Sequence, residues 1–111
     1  MADFIQKMFM TPQQRALFNA ADSAPVQMQS GFLMTMNVWY KTTVYSANTD
    51  MGKIKATFAK QDECSAMKPQ DFYSVEVINE TNITNEQNGR FAKAMYKKLK
   101  HRYDQSKKHV R

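Results

Sequence analysis

The hydrophobic period of this chain switches from helical to two-residue and back again, and that double switch limits the folds open to it. Thr11 followed by Pro12 reads as an N-cap and a proline at the first helical position, and Ala16, Leu17, Ala20 and Ala21 share one helical face. A helix is expected over 12–21, ending at Asp22-Ser23-Ala24-Pro25. Ahead of it, Phe4, Ile5, Met8 and Phe9 are spaced for a short amphipathic helix.

From residue 31 to 46 the period is two. Phe32, Met34, Met36, Val38, Tyr40, Thr42 and Val44 form an expected core-facing side, opposite Leu33, Thr35, Asn37, Trp39, Lys41, Thr43 and Tyr45. So long a strand is expected to bend or bulge. Residues 47–52 read as a hairpin connection, and 53–60 resume the alternation with Ile54, Ala56 and Phe58 inward and Lys53, Lys55 and Thr57 outward. After a loop over 61–70, Tyr73, Val75 and Val77 mark a third strand, and 79–84 read as a polar turn.

The last element is an amphipathic helix. Thr84 and Gln87 have the spacing of a capping box, and the helix is expected from Arg90 onward. At 100° per residue Phe91, Ala92, Met95, Tyr96, Leu99 and Tyr103 fall in one arc, and Arg90, Lys93, Lys97, Lys100 and His101 fall opposite. The expected fold is therefore α+β. It has an N-terminal helix or helices, a three-stranded antiparallel meander, and a long C-terminal helix packed on one sheet face. One domain over 1–106 with a basic tail over 107–111 suits a chain of 111 residues. Helix, three strands and helix is also the element order of double-stranded RNA-binding domains. The Lys-Lys-Ala that those domains carry at the start of the last helix is absent, with Arg90-Phe91-Ala92-Lys93-Ala94 in its place, so no family follows.

Charge is distributed as unevenly as hydrophobicity. Residues 1–84 hold seven Lys/Arg and eight Asp/Glu, whereas 85–111 hold nine Lys/Arg against Glu86 and Asp104, a local net of +7. Such a concentration attracts polyanions. The expected contacts are Arg90, Lys93, Lys97, Lys98, Lys100, Arg102, Lys107, Lys108 and Arg111, on a nucleic-acid backbone, DNA or RNA, with low sequence specificity. An acidic protein surface would meet the same charges. A second patch is expected on an open sheet face, where Trp39, Lys41, Tyr45, Lys53 and Lys55 share outward parity; it would serve either base stacking or a homodimer interface.

Catalytic chemistry finds little footing. His101 and His109 sit in the basic segment with no nucleophile paired to either, and Cys64 adjoins Asp62 and Glu63, whose charge raises a thiol pKa. Three glycines leave no phosphate-binding loop, and the scattered carboxylates give no metal cluster. No enzyme, cofactor or metal is expected. A single cysteine, no secretory leader and no transmembrane run lead to an expected location in the cytoplasm, or the nucleoplasm of a eukaryote, away from membranes.

Overall fold

The computed structural model describes residues 10–35, 37–61, 71–79, 83–87 and 89–108. The first helix, α1, spans Pro12–Ala20. Five strands follow, β1 (Val26–Thr35), β2 (Val38–Thr49), β3 (Gly52–Gln61), β4 (Phe72–Ile78) and β5 (Ile83–Gln87), and then the long helix α2 (Arg90–Lys108). The strands form one antiparallel sheet in the order β1-β2-β3-β4-β5. The architecture is thus α+β, with five strands in place of the three expected. Helix α2 runs to Lys108, two residues into the stretch expected as a tail. The expected helix at Phe4–Phe9 and most of the 61–70 loop lie outside the described residues.

The first correction is at the centre of the long alternating run. A tight turn at Asn37 divides it into two strands, and Thr35 pairs with Val38. Asn37 takes φ 64°, a left-handed conformation that Asn tolerates better than most residues. The turn replaces the expected bulge; every pairing on either side keeps its register. It also exchanges the two faces, because paired residues point the same way whereas residues three apart in one strand point oppositely.

One sheet face carries the helices. Tyr45 and Ala47 of β2, Ile54 and Ala56 of β3, and Val75 and Val77 of β4 pack there with Leu17, Phe18 and Ala21, and with Phe91, Met95, Tyr96 and Leu99 of α2. Phe58 and Tyr73 close this core from the side. Val38 and Tyr40, expected in the same core, belong instead to a small cluster on the opposite face with Ala59 and Phe72, the Tyr40 and Phe72 rings meeting edge-on at 5.1 Å. Phe32 and Met34 are not core residues. They lie on the helix-side face but are 68% and 50% exposed, beyond the helices.

The second correction is β5. Residues 83–87 pair with β4 and carry the chain back under α2, so Thr84 lies within a strand and not at the expected helix N-cap. Glu86 does the capping: its carboxylate accepts from the Ala92 N–H at 3.0 Å and from Gln14 Nε2 at 3.3 Å. Gln14 itself closes the Thr11 capping box at the start of α1, as its side chain accepts from the Thr11 N–H at 3.0 Å. One carboxylate therefore holds the N-terminal ends of both helices. A Cβ at Gly89 would run into that carboxylate, which would have to swing away from the helix ends to admit one. At the β2–β3 turn Gly52 is required: its φ is +133°, and a Cβ would stand 2.8 Å from the Ile78 carbonyl oxygen.

Candidate nucleic-acid interface

The apolar arc of α2 is buried and its outer face carries the cations. Phe91, Met95 and Leu99 lie in the core, while Arg90, Lys93, Lys97, Lys100, His101 and Lys107 are exposed. The nine expected phosphate contacts nonetheless separate into groups with different roles.

Lys98 and Arg102 are structural and leave the expected set. The Lys98 side chain is only 8% exposed; its ammonium donates to the Phe18 carbonyl at 2.7 Å, pairs with Asp22 at 2.6 Å and stands 3.7 Å over the Phe18 ring. Arg102 donates to the Ala21 carbonyl at 2.7 Å and also to the Ala24 carbonyl. The last carbonyls of a helix have no partner within it and carry its negative dipole end. Helix α1 has no basic residue in its own last turn, so α2 supplies the two cations that complete it.

These roles carry a signal in the sequence. On the helical wheel, positions 98 and 102 fall about 20° to either side of Phe91, one at the border of the apolar arc and one inside it, both away from Lys93, Lys97 and Lys100. A cation on a buried face must find a partner there.

Lys100 is exposed and paired with Asp104 one turn on, at 2.9 Å. The hydrogen bond to Asp104 and its charge raise the Lys100 pKa, so this ammonium is held firmly protonated. Lys107 reaches over the Tyr103 ring at 5.2 Å. Lys93 and Lys97 differ from these. Both are exposed, neither has a carboxylate three or four residues away, and neither makes an ion pair among the described residues. The Lys108 side chain and Arg111 lie outside the described residues. What remains is a stripe through Arg90, Lys93, Lys97, Lys100 and Lys107, about 25 Å long at the helical rise.

The expected second patch is not one surface. Trp39, Lys41 and Tyr45 lie on the helix-side face, and Tyr45 is buried under α2, with ring centroids 5.3 Å from Tyr96 and 5.6 Å from Tyr103. Lys53 and Lys55 pair with Asn48 and Ser46, which places them on the opposite face. There they line a shallow groove of mixed polarity with Gln27, Gln29, Leu33, Val44, Glu76 and Gln87. The parity exchange at Asn37 does not cause this split, since β2 and β3 meet at a second tight turn that again reverses parity.

Tyr96 joins the sheet to α2. It meets Tyr45 and Tyr73 edge-on and hydrogen-bonds Thr43; burial, followed by the neighbouring Tyr45, pushes its phenol up to about 12. Among the described residues no three His, Cys, Asp or Glu side chains stand together as metal ligands, and no helix is long and apolar enough to cross a membrane. No protein-family model, curated protein or solved structure matches the chain.

Proposed function

We propose that this chain is a non-catalytic nucleic-acid-binding module that contacts the phosphate backbone through the outer face of α2. The supporting observation is the pair Lys93 and Lys97, exposed one turn apart and, among the described residues, in no ion pair with a carboxylate. Surface helices that serve only solubility interleave Glu and Lys at such spacings. Arg90, Lys100 and Lys107 extend the row in both directions. Because its contacts are to phosphates and not to base edges, the module discriminates little between sequences.

Counterion release dominates such binding. Changing Lys93, Lys97 and Lys100 together to Gln is expected to weaken binding to unrelated sequences alike. The slope of log affinity against log salt should flatten by about two to three units. Thermal stability should stay nearly constant, because exposed lysines contribute little to a fold. Unchanged affinity and slope in the triple variant would remove α2 from the interface. An acidic protein answers to the same charges, and is the reading to take if nucleic acid fails to bind.

A further inference from the structure

The two edges of the sheet are built differently. Edge strand β5 is short, carries Glu86, and is followed at once by α2. Edge strand β1 is ten residues long, keeps an unbroken register with β2, and has neither proline nor charge in Val26–Thr35. Among the described residues nothing pairs with its outer side. Proteins usually guard such an edge with charges, prolines, bulges or brevity, because its free N–H and C=O groups accept another strand. β1 has none of these guards. It also exposes large apolar side chains on both faces, Met28, Phe32 and Met34 on the helix side and Leu33 on the other, with Trp39 48% exposed beside Met34.

We propose that β1 pairs antiparallel with β1 of a second copy across a twofold axis normal to the sheet, giving one continuous ten-stranded sheet. Charge selects this occupant. The molecule carries a net +6, so two copies repel wherever cations meet, yet residues 26–40 hold no charged side chain at all. An acidic protein or a nucleic acid would find nothing on this edge to attract it. A second uncharged strand finds backbone partners and apolar contacts.

The symmetry also fits. About such an axis like-facing positions oppose each other when residue 30 or residue 31 lies on it, and Met28 then meets Phe32 or Met34 of the second copy. The four apolar side chains expose on the order of 400 Å² per copy. With the main chain and polar side chains of the strand, the two copies together bury at most about 1,200 Å², the lower end of specific interfaces. This pairing does not depend on the nucleic-acid reading, though it would set both α2 stripes on one side of the sheet.

Sedimentation of the full chain over a concentration series, with targeted cross-linking, tests the pairing. The wild type should show a monomer–dimer equilibrium, and Phe32→Lys with Met34→Lys should shift it to monomer with the melting temperature that the wild type has at dilutions where it is monomeric. In a Cys64→Ser background, Ser30→Cys or Gly31→Cys should form a disulfide-linked dimer on oxidation, because a residue near the axis faces its own copy within disulfide reach. Gln27→Cys should not, since about 20 Å of strand then separates the two sulfurs. A wild type that stays monomeric up to about 0.5 mM overturns the proposal, because weaker association is outside the range of a specific dimer. So does a dimer that survives the lysine variants without cross-linking at 30 or 31. Dimerisation that appears only once residues 2–9 are removed would also overturn it, giving the edge to that segment.

Discussion

Nine basic residues at the C-terminal end look equivalent in composition, yet their environments assign them different work. Lys93 and Lys97 differ from Lys98 and Arg102 only in angle around the helix, and that angle decides between solvent and the end of α1. Counting charge hides this; placing each cation on the wheel exposes it. Tyr96 makes the same point for a neutral group, since nothing in its local sequence separates a border tyrosine from one enclosed by Tyr45, Tyr73 and Thr43. Its consequence is measurable. An unfolded tyrosine ionises near pH 10, while Tyr96 in the fold holds its proton to about 12. The fold therefore binds this proton more tightly than the unfolded chain does. The resulting stability is complete below pH 10 and is lost as pH rises through about 12. Burial raises Tyr45 as well, and this acts in the same direction. Phenolate absorbance should show a late-titrating tyrosine that is absent from Tyr96→Phe, and that variant should lose stability less steeply above pH 10. A Tyr96 phenol titrating near pH 10 would contradict its placement.

At the scale of elements, the helices were legible and the sheet only partly so. Thr11, Pro12 and Gln14 give α1 a start signal that needs no tertiary contact, and the arc of α2 repeats over five turns. The β1–β2 turn has no glycine, and alternating apolar residues continue through it, so periodicity alone reads one strand where there are two. β5, with the sequence Ile-Thr-Asn-Glu-Gln, is polar and has little strand propensity; it is held by pairing with β4 and by the Glu86 bridge to both helices. Helix α1 likewise depends on its neighbour. Lys98→Met and Arg102→Met leave buried carbonyls without donors, and each is expected to cost about 1–3 kcal/mol, with α1 fraying first in hydrogen exchange. Lys100→Met, which breaks only an exposed pair, should cost less than about 0.5 kcal/mol. Equal effects of the three substitutions would contradict the division of the basic residues into those that cap α1 and those on the outer face of α2.

For the whole molecule, the partition of charge is the feature on which the proposed function rests. The sheet supplies an uncharged edge at β1, and α2 carries the cations on a face turned away from the core. The segmental asymmetry was legible directly, because charge counts need no fold. How many cations remain available was not, because that depends on where the last turn of α1 comes to rest. The most direct measurement is binding of the wild-type chain to labelled single- and double-stranded DNA and RNA near physiological salt, repeated across a salt series. The account predicts binding tighter than about 0.1 mM, similar among unrelated sequences, and falling steeply as salt rises. Binding weaker than about 0.1 mM to all four, the limit for ordinary non-specific contact, would contradict it.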